Sequence, residues 1–205
     1  IIISDAGSKD KTLKIAKDFG CKVVTGGPVS IGRNRGAEAA TGDIILFLDA
    51  DLILPHEQFL SNALKEVSRR KLDIAGFAVS PIGGKIIDRV ALWIWNTLGR
   101  ITQGFMPHAA AAILVKKNVH MHINGFDEEI VLAEDHHYVR EGGRHFKFGF
   151  ISQEPVFFST RRYRKDGSIK THLKYVFAGI YIIFIGPIKS DIFNYRFGHY
   201  DGEEK

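Results

Sequence analysis

Apolar residues in the first half of the chain switch repeatedly between a two-residue and a helical period. Ile1-Ile2-Ile3 is a β-branched run closed by Ser4 and the turn Asp5-Ala6-Gly7-Ser8, which predicts a buried strand. Lys11 to Phe19 places Leu13, Ile15, Ala16 and Phe19 at helical spacing and stops at Gly20. Lys22 to Thr25 predicts a second strand, and a helix is expected around Asn34 to Ala40. Ile44 to Leu48 is an unbroken apolar run, as in a strand covered on both faces of a parallel sheet. A helix after Pro55 carries Phe59, Leu60, Leu64 and Val67 on one side, and a strand is expected from Asp73 to Val79. Such alternation predicts an α/β fold with a doubly wound, mostly parallel sheet flanked by helices.

The second half is less regular. Ile86 to Leu98, with Trp93 and Trp95, reads as an apolar helix, and Ala109 to Val115 as a strand. Glu134 to Gly142 is expected to be helical, with strands at Phe146 to Ile151 and Pro155 to Ser159. Arg161 to Lys174 is strongly basic, and Tyr175 to Ile188 then runs without a charge. The expected organisation is one domain over residues 1–160 and a basic, then apolar, extension over residues 161–205. The opening inside an apolar run, with no basic segment or cleavage site around it, does not read as a signal peptide. It suggests a chain already under way at Ile1.

Composition narrows the partners. The chain has 205 residues, 45% apolar and 25% charged, enough to build a core. A single cysteine, Cys21, leaves neither an intrachain disulfide nor a multi-cysteine zinc site. The net charge of +5 favours an anionic partner: phosphate groups, nucleic acid or an acidic membrane surface. Nucleic acid is not expected, because the aromatic residues do not interleave with the basic ones as a stacking platform requires.

The sharpest chemical feature is Asp49-Ala50-Asp51, directly after the apolar run. Ligands of open α/β sheets bind beyond the carboxyl ends of strands. Two carboxylates there can share a hard cation, Mg²⁺ or Mn²⁺, that bridges to phosphate oxygens. The plain alternative is that one of these acids caps the next segment. Of the nine histidines, His172 stands in the basic segment and could complete a metal shell. Arg161, Arg162 and Arg164 could close over a diphosphate. His108, His120, His122, His136, His137 and His145 show no ligand spacing.

Upstream of the acid pair stands Gly32-Arg33-Asn34-Arg35-Gly36, then Thr41-Gly42-Asp43. In this order, and with Asp49-Ala50-Asp51, they resemble the nucleotide-sugar-binding half of family 2 glycosyltransferases of the GT-A fold. Ser4-Asp5-Ala6-Gly7-Ser8-Lys9-Asp10-Lys11-Thr12 resembles that family's Asp-Asp-Gly-Ser-X-Asp-X-Thr turn, with Ala6 in place of the second acid. Asn124-Gly125-Phe126-Asp127-Glu128 and Glu134-Asp135 resemble its acceptor-side motifs, although His136-His137 follows where an acidic or apolar residue is usual. The family's first strand has no counterpart and is expected upstream of Ile1.

The resemblance implies a metal-dependent, inverting transfer of sugar from a nucleoside diphosphate. The acceptor would be a sugar, a glycan or a polyprenyl phosphate. It implies that Asp5 hydrogen-bonds the base, that Arg33 contacts the nucleotide from a helix start, and that Asp49 supports the sugar or ribose side. Asp51, with Asp49, would hold Mn²⁺ or Mg²⁺. Gly125, Phe126, Asp127 and Glu134 would face the acceptor, and Asp135 would be the general base. Two alternatives stay open. A nucleotidyltransferase would need a Gly-rich phosphate loop near the first strand, and none is visible. A non-catalytic nucleotide- or membrane-binding module would explain Ala6 and His136-His137.

Tyr175 to Ile188 as a helix would reach about 21 Å, short of the ~30 Å hydrocarbon core. It reads either as an interfacial or re-entrant membrane helix beside basic residues, or as a core or dimer-contact helix. The expected location is the cytoplasm, with a peripheral attachment to the membrane's cytoplasmic face under the first reading.

Overall fold

The computed structural model describes residues 1–193; the end of the expected extension, residues 194–205, lies outside them. Strand β1 (Ile2–Asp5) pairs in parallel with β2 (Lys22–Thr25), Ile2 opposite Lys22, with helix α1 (Thr12–Asp18) between them in sequence. Helix α2 (Val29–Ala39) then leads to β3 (Ile44–Leu48) and the short β4 (Leu52–Ile53). Helix α3 (Phe59–Arg70), strand β5 (Ile74–Ile82), helix α4 (Ile86–Thr102), strand β6 (Ala112–Lys116) and helices α5 (Lys117–His122) and α6 (Glu134–His145) follow. The described chain closes with β7 (Phe148–Ser159), α7 (Arg161–Asp166) and α8 (Ser168–Phe184).

The α/β class with helices flanking a central sheet holds, but the strand directions are more mixed than the alternation predicts. The large sheet has the order β3-β6-β5-β7-β4. Only β5 and β7 run parallel in it; β3–β6, β5–β6 and β4–β7 are antiparallel. The cause lies before β6. Ala111 adopts φ 64°, and its carbonyl accepts the Asp49 N–H at 2.9 Å, so β6 starts beside the end of β3 and must run back along it. The two strands expected at Phe146 to Ile151 and Pro155 to Ser159 are one strand with an interruption, since Phe77 faces Ile151 but Val79 faces Val156.

Two buried-strand expectations are corrected. Ile1 is exposed and Ile2 and Ile3 are half-buried, because β2 is the only strand beside β1 among the described residues. Strand β3 is likewise an edge, with Ile44 and Leu48 exposed. Helix α2 joins the two sheets: Gly32 lies against Ser4 of β1, and Ala37 packs with Ile45 and Phe47 of β3. It begins at Val29, after Pro28, a full turn earlier than the apolar pattern suggests.

Alternation on the large sheet builds the core on both faces. Ile74, Ile113, Val115, Phe148 and Phe150 point toward α5 and α6, where Val119, Tyr138 and Val139 meet them. Ala75, Phe77, Leu114 and Ile151 point toward Phe59, Ala63 and Val67 of α3 and Leu92 of α4. Leu60, expected on the inner side of α3, is exposed, and Ala63 takes its place one turn on. Among the described residues no helix is long and apolar enough to cross a membrane.

Helix α4 lies so close to β7 that a Cβ at Gly99 would stand 2.7 Å from the Phe150 ring and 2.9 Å from His108 Nε2. Gly99→Ala is expected to lower unfolding free energy by about 1–3 kcal/mol through overpacking, despite alanine's better helix propensity. Urea titration checks this; an unchanged or higher midpoint would contradict the packing.

Candidate active site

The site forms where β3 ends, and its centre is Arg33. This residue lies in the second turn of α2, inside the helix rather than at its start. One guanidinium nitrogen donates to Asp49 Oδ1 at 2.6 Å, and the other donates to Glu134 Oε1 at 2.7 Å. The Phe126 ring stands 5.1 Å from the guanidinium carbon, adding a cation–π contact. Burial works against the charge on Arg33, but Asp49 and Glu134 outweigh it and hold the pKa raised. Both branches of the fork are therefore engaged by protein carboxylates.

Asn34, the next residue, makes the second connection. Its Oδ1 accepts the Phe126 N–H at 2.8 Å, while Nδ2 donates to the Phe126 carbonyl and to Glu128 Oε1, both at 2.9 Å. Gly125 is required for this approach: it has φ 73°, and a Cβ there would stand 2.6 Å from Asn34 Oδ1. Phe126 is buried and stacks on Tyr138, with ring centroids 3.9 Å apart. Asp127 accepts the Glu129 N–H and pairs with Lys189 at 3.3 Å. These residues brace the loop that leads to α6.

Glu134 and Asp135 open α6, after Ala133 at φ 58°. Burial pushes the Glu134 carboxyl up to about 7, with Asp135 adding to the effect and Arg33 opposing it. Burial also raises Asp135, to about 6, against the pull of Arg33. Its Oδ1 accepts the backbone N–H of His136 at 2.8 Å. His136 does not join the acid cluster: its ring stands against Trp95 and His108, and burial lowers its pKa to about 3.

Asp51 lies two residues beyond Asp49 of the Asp49–Arg33 pair. Burial and the nearby Asp49 raise its pKa, while Arg162 and Arg161 act in the opposite direction. The pairing of β4 with β7 creates that proximity: Leu52 faces Phe158, and the Ser159 N–H reaches the Asp51 carbonyl at 3.4 Å. Arg161 and Arg162, at the start of α7, thus come within electrostatic reach of Asp51. Arg164 turns back on Thr160, its side chain 3.5 Å from Oγ1.

Two candidates stand elsewhere. Asp5 Oδ2 accepts the N–H groups of Gly7 and Ser8 at 2.8 and 3.0 Å, and bonding to Ser8 lowers its pKa. It shapes the turn after β1, apart from the Arg33 cluster. His172 is held by Asp88 of α4, Nε2 to Oδ1 at 2.9 Å, and its ring lies tilted against that of Tyr163, centroids 4.7 Å apart. Among the described residues no three His, Cys, Asp or Glu side chains form a metal-binding group. The expected ligand set of Asp49, Asp51 and His172 is therefore not assembled, because His172 on α8 is tied to the neighbouring helix. Sequence reasoning passed over Tyr175 as part of an apolar run, yet it stands within electrostatic reach of Arg162, Asp51 and Asp135. Its phenol among apolar neighbours was the available signal.

The family model described as Glycosyl transferase family 2 matches residues 1–126. The chain belongs to this family. Glucosyl-3-phosphoglycerate synthase of Mycolicibacterium smegmatis is 33% identical over 113 residues, covering 44% of this chain and 37% of that protein. The chain thus spans well under half the length of this relative. Among solved structures, the mannosyltransferase PcManGT from Pyrobaculum calidifontis, in complex with GDP-Man and Mn2+, matches 84% of this chain and 51% of its own, with TM-score 0.68 and 15% identity. TarS of S. aureus in complex with UDP-GlcNAc matches with TM-score 0.61 and 15% identity, over 88% of this chain and 57% of its own. These likenesses establish the GT-A glycosyltransferase fold.

Removing Arg33 would leave Glu134 buried without its counter-charge. Arg33→Met is expected to cost about 3–5 kcal/mol. A carboxyl whose pKa is raised in the folded state destabilises it above that pKa and is relieved as pH falls. The loss should therefore be larger at pH 8 than at pH 5, on either side of the Glu134 value of about 7. Thermal unfolding of both proteins across that range checks this; a pH-independent difference would contradict it.

Proposed function

We propose that this glycosyltransferase family 2 protein moves a sugar from a nucleoside diphosphate sugar to a hydroxyl or lipid-phosphate acceptor, inverting the anomeric centre. The observation that carries this reading is the convergence of Asp49, Glu134 and Asp135 around Arg33, with Asp51 and the basic start of α7 beside them. Family membership favours sugar transfer over nucleotidyl transfer.

Asp49 and Asp51 suit Mn²⁺ or Mg²⁺: hard carboxylate oxygens, with the remaining positions left to diphosphate oxygens and water. Such an ion would supply Lewis-acid stabilisation of charge on the leaving diphosphate. Asp49 Oδ1 is engaged by Arg33, so Asp49 turns its second oxygen to the ligand. Arg161 and Arg162 flank the diphosphate, and Asp5 reads the base. His172 takes no part in this ligand set.

Asp135 takes the proton of an acceptor hydroxyl. The acceptor oxygen bonds to the anomeric carbon as the bond from that carbon to the diphosphate oxygen breaks, and the nucleoside diphosphate leaves with the electron pair. A base raised to about 6 is ionised at neutral pH and strong enough to assist. A phosphate acceptor is already ionised and needs no such help. Glu134 holds Arg33 and shares the raised affinity for protons, so it positions the site rather than reacting.

The separate β1–β2 pair and the edge of β3, which has no neighbour on that side among the described residues, support a further strand between them, as in a domain that is longer than residues 1–160 alone. Extending the chain upstream of Ile1 should raise its unfolding midpoint, and no change would count against this. The helix expected over Tyr175 to Ile188 ends at Phe184, and Ile188 is buried against Leu132, so peripheral contact with a membrane falls to the outer side of α8 in the same reading.

Asp51→Ala should abolish stabilisation by a nucleoside diphosphate with Mn²⁺ while leaving the unliganded midpoint nearly unchanged. Retained metal-dependent stabilisation would remove Asp51 from the ligand set.

Asp135→Asn should lower kcat roughly 10²–10⁴-fold on a hydroxyl acceptor, with donor affinity little changed. The acidic limb of the kcat profile, near pH 6 in the native protein, should vanish with it. Native turnover in this variant would dismiss Asp135 as the base.

A further inference from the structure

Helices α4 and α8 touch, and His172 of α8 is bound to the buried Asp88 of α4. Each helix turns an apolar side away from the core, interrupted on α4 only at Thr97. On α4 the stripe runs through Val90, Trp93 and Ile101 to Phe105 just past the helix end, the last three 65%, 69% and 77% exposed. On α8 it runs through Ile169, Leu173, Val176, Ile180 and Phe184, the last 81% exposed. Spacings of three and four residues, counted through Thr97 on α4, place each set on one side of its helix. Exposed apolar surface of this extent marks a binding surface.

The charges on these helices select the occupant. Asp88 is the only acid from Ile86 to Thr102, and it is buried; Ser168 to Phe184 contains none. The cations are Arg89, Arg100, Lys170 and Lys174, and the first three have no carboxylate partner among the described residues. Arg89 and Trp93 also line a recess of about 380 Å³ with Ser80, Pro81 and Asn96, open at the edge of the stripe. A second copy docked on this face would oppose cation to cation. An anionic lipid surface meets both the apolar stripes and the positive rim.

We infer that α4 and α8 together form a platform that lies flat on an anionic bilayer, so that the acid cluster meets an acceptor carried by a lipid. This deepens the proposed function and, for its acceptor clause, rests on it. Continuity with the site supports that clause: Tyr175 of α8 stands within electrostatic reach of Asp51 and Asp135, and α8 follows directly on α7. At about 25 Å in length α4 lies along the interface, where its one exposed indole suits the headgroup boundary.

The test is flotation of the chain with phosphatidylcholine vesicles, with and without phosphatidylglycerol. Binding is expected to the anionic vesicles only and to weaken with salt. Ile101→Glu and Ile180→Glu, both at exposed positions, should abolish it with unfolding midpoints unchanged. Replacing Arg89, Arg100 and Lys170 together by Gln leaves the stripes intact and should reduce vesicle affinity about a hundredfold, at roughly fivefold per cation. Equal binding to neutral vesicles, or none to either, would overturn the proposal. So would a dimer in sedimentation analysis that the Glu variants dissociate, which would give the face to a second copy. Stabilisation by UDP or GDP with Mn²⁺ is read separately without vesicles, so a chain that floats but ignores nucleotide refutes the transferase reading and not the platform.

Discussion

Arg33 between Asp49 and Glu134 is the constraint on which the site depends. The two acids come from the end of β3 and the start of α6, more than eighty residues apart in sequence. Held by a single guanidinium fork, they cannot move independently. A lysine has one point charge and cannot reproduce the planar, two-branched geometry. Asn34 extends the same helix turn to Phe126 and Glu128, so adjacent residues of α2 secure both the side of the site near Asp51 and the loop before α6. The energetic logic is that of a buried ion pair: taking carboxylates out of water is expensive, and the arrangement survives only because each is compensated.

That compensation is incomplete by design of the local charges. Asp49, Asp51, Glu134 and Asp135 outnumber Arg33, and burial raises the last three of these acids above their ordinary range. Arg161 and Arg162 offset part of the excess near Asp51. A site with surplus carboxylate at the end of a strand attracts a cation and, through it, phosphate oxygens. The same surplus keeps a proton acceptor with raised basicity beside the place where an acceptor would stand.

A second contact around a buried carboxylate, the hydrogen bond between Asp88 and His172, performs an architectural task. Burial works against the Asp88 carboxylate, but the Lys85 N–H and His172 hold its pKa below the usual range. It fixes α8 against α4 and thereby aligns two amphipathic helices whose outer stripes have no partner within the described residues. One histidine that could have served chemistry instead sets the geometry of a surface.

Much of the chemistry was legible in the order of residues. The acid pair after the run Ile44 to Leu48, the Arg-Asn turn before it and the Glu-Asp pair far downstream mark the family, because each motif is local and tolerates no gap. The strand at Lys22–Thr25 and the α/β class follow from period and turn residues alone. Direction and partnership do not. An apolar run reads the same whether it is a central strand or, like β3, an edge waiting beside another layer. The reversal before β6 depends on Ala111 in a left-handed conformation, which no alanine announces. Likewise the sequence offers Arg33 and His172 as ligand contacts, since both side chains suit that chemistry. Only the tertiary structure decides that Arg33 joins two acids and that His172 belongs to Asp88, because those partners are set by how distant segments pack and not by spacing along the chain.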